Sequence, residues 1–277
     1  MERQKISIPY LQEKKKSSQK ITMLTAYDYP MARIIDAAEI DIILVGDSLG
    51  MVVLGYDSTL PVTMEDMIRH AQAARRGTEY ALLVGDMPYK SYDTEARAVK
   101  NAKRFMDEAG CGAVKLEGGT ESLAACRAII GAGIPVMVHL GLTPQSIEKL
   151  GGFKVQGKTA EAAKVIIDDA AKLEKAGCFS LVLECIPEKI AGIITERLSI
   201  PTIGIGAGAG CDGQVLVTND MVGLFDRFIP KFVKQYTKLA PQIKEAVEAF
   251  KSEVEKGVFP DKDHAFAIKI EELKKVG

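Results

Sequence analysis

The chain has 277 residues, long for one ordinary core, yet a (β/α)8 barrel takes about 250 residues as a single domain. With 47% hydrophobic and 26% charged residues it has the composition of a globular protein that buries a large core, and disorder is expected only at the ends. Lys plus Arg total 36 and Asp plus Glu total 37, a net charge of −1 that excludes a global attraction to nucleic acid or an anionic membrane, so a small ligand must be recognised locally.

Along the chain, MERQKISIPYLQEKKK has no apolar core of a signal peptide, and Lys14, Lys15 and Lys16 are expected on the solvated face of a first helix. Eight apolar runs of strand length follow, at 21–26, 40–45, 80–85, 113–116, 135–140, 181–185, 201–205 and 214–217. Helical spacing fills most of the gaps, at 30–38, 63–76, 93–109, 120–131, 159–176 and 187–198. Thr63 and Asp93 are placed as N-caps, and Gly77, Gly110 and Gly177 as C-terminal stops. Near-continuous apolar strands such as IDIILV and SLVLEC predict a parallel sheet covered on both faces, and eight of them close into an α/β (β/α)8 barrel. Residues 1–277 are taken as one barrel domain with a helical C-terminal extension at about 231–277.

An open dinucleotide-binding sheet is the competing architecture, because Gly204-Ile-Gly206-Ala-Gly208-Ala209 fits GxGxx[GA] after a strand. That fingerprint should open a helix, whereas CDGQVLV leads into another apolar run; the glycines then serve close backbone passage by a ligand or a tight barrel corner. Two long loops, 47–63 and 141–159, are candidate walls or lids. The five cysteines have no CxxC spacing, which predicts neither a zinc knuckle nor a disulfide framework and points to a reducing, cytoplasmic setting. No stretch approaches the length of apolar residues that spans a bilayer.

In parallel α/β folds ligands bind beyond the carboxyl ends of the strands. Here strand two ends in Asp47-Ser48, strand three in Asp86, strand four in Lys115-Leu116-Glu117, strand five in His139 and strand six in Glu184. Each has a bland alternative: a capped turn for the aspartates, an ion pair for Lys115 and Glu117, a core histidine for His139. Glu184 resists one, since an unpaired carboxylate in an apolar strand is costly. Asp47 and Asp86 close identical LVGD words, so strands paired in register would turn both carboxylates the same way, with one cation held between them. Lys115 and Glu117, spaced i, i+2, share one side of their strand and face that cation if the side is inward. Magnesium suits such a set and zinc does not. A divalent ion on the keto and carboxylate oxygens of a 2-oxo acid stabilises an enolate, with Glu184 as the base that removes the neighbouring proton.

Several words resemble the ketopantoate hydroxymethyltransferase family: TAYD (25–28), VGDSLGMVVLGYDSTLPVT (45–63), VKLEGG (114–119), HLGLTPQS (139–146), GGFKVQG (151–157), LVLECIP (181–187), IGIGAG (203–208), DGQVLV (212–217) and IPKF (229–232). The resemblance runs from about 20 to 265. It implies a TIM barrel of the phosphoenolpyruvate/pyruvate type that moves a hydroxymethyl unit from 5,10-methylenetetrahydrofolate to 3-methyl-2-oxobutanoate, giving 2-dehydropantoate in pantothenate biosynthesis. It further implies magnesium on Asp47 and Asp86, with Glu117 as a third acid, direct or through water. It also implies oxo-acid contacts on Asp47, Ser48, Asp86, Lys115 and His139, Glu184 as the proton acceptor, and a large homo-oligomer, commonly a homodecamer. The chain departs from common family variants at 209–211 and 218–220, expected to lie away from the rim. A magnesium-dependent lyase of the isocitrate or phosphonopyruvate type, or a barrel that binds an acid without turnover, are the alternatives; such a lyase is expected to carry a reactive cysteine on a mobile loop.

Overall fold

Eight parallel strands close into a barrel in sequence order, β1 (Ile21–Thr25), β2 (Ile42–Val45), β3 (Leu82–Asp86), β4 (Ala113–Glu117), β5 (Val136–Gly141), β6 (Ser180–Glu184), β7 (Thr202–Ile205) and β8 (Gly213–Leu216), with β8 pairing back onto β1. The computed structural model describes residues 3–147, 151–152, 154–225 and 227–276, so part of the candidate lid at 141–159 lies outside the described residues. Every expected strand is present with ends within two residues. Pro135 and Pro201 stand just before β5 and β7, where a missing N–H costs no ladder bond.

The helices are α1 (Ile8–Lys16), α2 (Tyr29–Ala37), α3 (Leu49–Val52), α4 (Met64–Gly77), α5 (Glu95–Asp107), α6 (Leu123–Gly131), α7 (Ala160–Lys175), α8 (Glu188–Arg197), α9 (Thr218–Met221), α10 (Leu239–Glu255) and α11 (Ile270–Leu273). Thr63 caps α4 with a reciprocal capping box to Asp66, as its spacing predicts. The α5 cap is Thr94 instead of Asp93: the Thr94 hydroxyl accepts from the Arg97 N–H, and Asp93 pairs with the Arg97 guanidinium. Gly110 and Gly177 take the left-handed conformation of helix stops; Gly77 does not, and instead lets α4 approach the α2 backbone, where a Cβ would sit 2.4 Å from the Tyr29 carbonyl oxygen. The β7–β8 crossover contains no helix. Its glycine run packs a corner, with Gly206 against the Phe232 ring and Gly208 against Glu188, so the dinucleotide alternative falls away.

Alternate residues of each strand face the barrel interior. Met23, Ile42, Leu44, Val84, Ala113, Met137 and Val182 form one buried cluster, closed at the N-terminal end by Leu11 of α1. The opposite faces, with Ile43, Val45, Leu83, Val114 and Leu181, pack against the helices. Both faces are buried, which is why these strands are apolar without alternation.

Contrary to the expected solvated face, two of the three consecutive lysines lie in this plug. Lys14 pairs with the buried Asp41 at 2.7 Å, Lys15 with Asp212 at 2.7 Å, and only Lys16 is open to solvent. Asp41 also accepts from the Thr22 N–H and hydroxyl, and Asp212 from the Thr202 N–H, so α1 is bolted to the starts of β1 and β7. Charge in sequence did not reveal this, because Asp41 and Asp212 are distant along the chain.

The extension departs from a helix over 231–277: residues 231–238 are irregular and α10 starts at Leu239. Pro241 sits in its first turn, where no intrahelical N–H is needed. Ile243, Val247, Phe250 and Val254, at helical spacing, line an exposed apolar stripe on α10.

Replacing Asp41 by Ala leaves Lys14 partly buried without its partner and should lower unfolding free energy by about 3 kcal/mol, seen as a reduced urea midpoint. Lys16→Ala should leave that midpoint unchanged.

Candidate active site

The two LVGD words do not pair in register. Leu44 is opposite Val84 and Val45 opposite Gly85, so the words are offset by one residue. Asp86 continues the interior face of Leu82 and Val84, whereas Asp47 has the parity of Ile43 and Val45, which point outward. β2 ends at Val45, and the turn into α3 brings Asp47 back over the rim, where its N–H reaches Asp86 Oδ2 at 3.4 Å. The glycines also differ in role. A Cβ on Gly85 would lie 2.3 Å from the Phe105 ring of α5, so only glycine lets that helix seat against β3.

Lys115 is the register partner of Asp86 and donates to both its carboxylate oxygens, at 2.8 and 2.7 Å. Glu117 is the register partner of His139. All four face inward and are buried. His139 stands between two acids, with Nδ1 3.2 Å from Glu117 Oε1 and Nε2 3.1 Å from Glu184 Oε2. These are ion-pair contacts in which neither ring N–H is well aligned with its oxygen. Glu184, on the interior face of β6 with Val182, is the most open of the acids, its side chain 14% exposed. The isolated carboxylate expected in an apolar strand is therefore a paired one. Ser48, half-buried beside Asp47, is joined to the buried Tyr27 hydroxyl at 2.9 Å.

Two residues that sequence reasoning missed complete the site. Gln145, buried in the short turn after β5, donates from Nε2 to Asp47 Oδ2 at 2.8 Å and to the Met87 carbonyl at 3.0 Å, and from its backbone N–H to Glu117 Oε2 at 2.9 Å. Its Oε1 accepts from the Tyr92 hydroxyl at 2.6 Å. A neutral amide outside any strand carries no charge pattern to flag it; only its place in HLGLTPQS hinted at a role.

Burial dominates the electrostatics. It pushes the Asp47 carboxyl well above the usual range, and the Asp86 and Glu117 charges push it further. Burial likewise raises Asp86, partly offset by Lys115. Glu117 is lowered overall despite burial, because His139 and Lys115 favour its anion. Burial and Lys115 push His139 down, but Glu117 and Glu184 outweigh both and lift it to about 9, so it is an imidazolium at neutral pH. Asp47, Asp86, Glu117 and Glu184 thus share one cluster with Lys115 and His139. Cys185, next to Glu184, is a thiol pushed up to about 12 by burial and by that carboxylate, which makes it a poor nucleophile.

The 209–211 departure lies away from the rim, as expected, with the Cys211 and Ala209 carbonyls bound by Lys20 just ahead of β1. The 218–220 departure does not. Thr218 exchanges hydrogen bonds with Thr25 at the end of β1, and Asp220 is buried beside it at the rim.

The sequence profile of ketopantoate hydroxymethyltransferase matches residues 5–262. The chain belongs to this family. It is 55% identical over 273 residues to 3-methyl-2-oxobutanoate hydroxymethyltransferase of Syntrophomonas wolfei, covering 98% of this chain and 99% of that one. Identity to the enzyme of the same name from Desulfotalea psychrophila is 58% over 253 residues, 91% of each chain. Among solved structures, a phosphoenolpyruvate phosphomutase from Streptomyces platensis superposes with a TM-score of 0.61 at 14% identity, covering 98% of this chain and 93% of that one. A 2,3-dimethylmalate lyase of the PEP mutase/isocitrate lyase superfamily gives 0.59 at 14%, covering 97% and 90%. At such identities these two establish the fold alone, a closed (β/α)8 barrel.

Burial pushes the Asp220 carboxyl up to about 6. Between about pH 4 and 6 the folded chain then keeps a proton that the unfolded chain has released, and the stability carried by the neutral form is lost as pH rises through that window. Asp220→Asn should therefore gain about 2 kcal/mol over the parent at pH 7 and nothing at pH 4; paired thermal melts at the two pH values measure the difference.

Proposed function

We propose that the chain transfers a hydroxymethyl unit from 5,10-methylenetetrahydrofolate to 3-methyl-2-oxobutanoate, giving 2-dehydropantoate and tetrahydrofolate with water supplying the hydroxyl oxygen. Membership of the family supports this, and so do the names of its relatives. The observation that carries it is Glu184 facing, across the His139 ring, a buried cluster of Asp47, Asp86, Lys115 and Glu117.

In this proposal the Lys115 ammonium and the Ser48 hydroxyl hold the anionic oxo acid, with Asp86 fixing the lysine from both oxygens. Water releases the one-carbon unit from the two folate nitrogens, which take up the protons of the water, and leaves it as formaldehyde; Glu184 removes the C3 proton, the carbanion adds to the formaldehyde carbon, and the alkoxide takes the proton back from Glu184. His139 keeps the Glu184 carboxylate oriented and offsets charge on that side of the site. Asp47 and Asp86 would hold a magnesium ion, with Glu117, whose oxygens already face His139 and the Gln145 N–H, as the third acid, direct or through water. When bound, magnesium supplies Lewis-acid charge to the oxygens of the oxo acid. The donor set fits such an ion: these buried carboxylates outnumber their cations, and Asp47 is raised by burial and by its acidic neighbours. Among the described residues, no group of three or more His, Cys, Asp or Glu is arranged so that it could hold a metal ion by itself. An open site with two carboxylates is what magnesium uses, leaving positions for water and substrate.

Self-association is part of the proposal, with the α10 stripe covered by a second copy, because an apolar stripe of this kind is poorly tolerated in water. A cytoplasmic setting is proposed as well, supported by the five free cysteines; among the described residues, no helix is long and apolar enough to cross a membrane.

Glu184→Gln should lose turnover by about 10²–10⁴-fold and abolish magnesium-dependent exchange of the C3 proton of 3-methyl-2-oxobutanoate, followed by NMR in deuterium oxide. Full exchange in that variant would sink the assignment of the base. Asp47→Asn and Asp86→Asn should each raise the magnesium concentration needed for exchange. In light scattering on a sizing column, Val247→Asp combined with Phe250→Asp should shift the assembly toward the single chain; an unchanged mass would count against α10 as the contact.

A further inference from the structure

We infer that Gln145 is a positioning residue for the cation site, and that its side chain makes closure of the turn after β5 and cation binding a single linked event. The inference rests on the proposal that Asp47 and Asp86 hold a divalent cation.

Gln145 is 5% exposed, and every polar group it owns except its carbonyl is spent inside the site. Nε2 reaches Asp47 Oδ2 and the Met87 carbonyl just after β3, the backbone N–H reaches Glu117 Oε2 at the end of β4, and Oε1 takes the Tyr92 hydroxyl proton. The amide has one workable orientation. Turned over, its oxygen would face the Asp47 carboxylate and the Met87 carbonyl, and its NH2 would face the Tyr92 hydroxyl; this would trade two attractive contacts for two repulsive ones. Tyr92 is itself held, accepting from the Glu117 N–H at 3.3 Å. The plane of the Asp47 carboxylate is thus set by a residue 98 positions away that lies in a three-residue turn, Pro144–Ser146.

Lifting that turn takes the Gln145 donors away from Asp47 and Glu117 together, while Glu117 keeps its contacts with His139 and Lys115. A closed turn presents the acids in the arrangement the cation meets, and an open one leaves Asp47 free to rotate. If closure strengthens cation binding, the cation must strengthen closure by the same factor. Gln145 acts through the acids and touches no reacting carbon.

The test uses the full-length protein with Mn2+ as the probe, its affinity read by electron paramagnetic resonance and the 142–147 segment followed by amide hydrogen exchange with and without the ion. Gln145→Met keeps the volume and removes the donors of the side chain. It should weaken Mn2+ binding by about 10- to 100-fold and abolish the slowing of exchange that Mn2+ produces at 142–147 in the parent. Tyr92→Phe, which removes the hydroxyl bound to Gln145 Oε1 and to the Glu117 N–H, should shift both readouts the same way by a smaller factor, and it carries the test if Gln145→Met fails to fold. Parent-like Mn2+ affinity in both variants, with faster exchange at 142–147, would make Gln145 a structural staple alone and overturn the inference. A parent protein that binds no Mn2+ would instead overturn the cation proposal beneath it.

Discussion

The site turns on an imbalance of buried charge. Asp47, Asp86 and Glu117 are almost wholly removed from water, Glu184 is close by, and only Lys115 and the His139 imidazolium oppose them. A cluster of that kind is unstable in isolation, since burial and mutual repulsion both disfavour the anions. Each nearby feature works against that cost: Lys115 gripping both oxygens of Asp86, His139 shared between two acids, and Gln145 bringing N–H groups to Asp47 and Glu117. What is left uncompensated is negative charge, and the proposed cation site rests on it.

The barrel makes this arrangement possible through parity. On β3, β4, β5 and β6 the interior cluster takes Val84, Ala113, Met137 and Val182, and the inward positions two or four further on are Asp86, Lys115, Glu117, His139 and Glu184. One register thus serves both a dry core and a charged rim. Pairing of β3 with β4 puts Asp86 beside Lys115, and pairing of β4 with β5 puts Glu117 beside His139. At the other end the same barrel is closed by α1, whose Lys14 and Lys15 pair with the buried Asp41 and the partly buried Asp212. The two ends use the same chemistry for opposite purposes: paired and saturated below, paired and left short of positive charge above.

The strands, most of the helices and the charged residues at the strand ends were legible in the chain, because apolar runs and their terminal residues are local properties. The errors fall where a distant partner decides. Identical LVGD words suggested strands in register, but the sheet staggers them and only the end of β2 lets Asp47 turn inward. Consecutive lysines looked solvated until Asp41 and Asp212 met them. Thr218 and Asp220 looked remote from the rim until the end of β1 met them.

By itself the sequence determined the barrel, its order of strands and five of the inward groups, since periodicity and strand length constrain the backbone before any long-range contact forms. Only the tertiary structure decided which acid faces which base, that His139 bridges Glu117 to Glu184, and that Gln145 and Tyr92 belong to the site. Those outcomes depend on angstrom-scale distances between residues tens of positions apart, and such distances exist only once the barrel has closed and set its stagger.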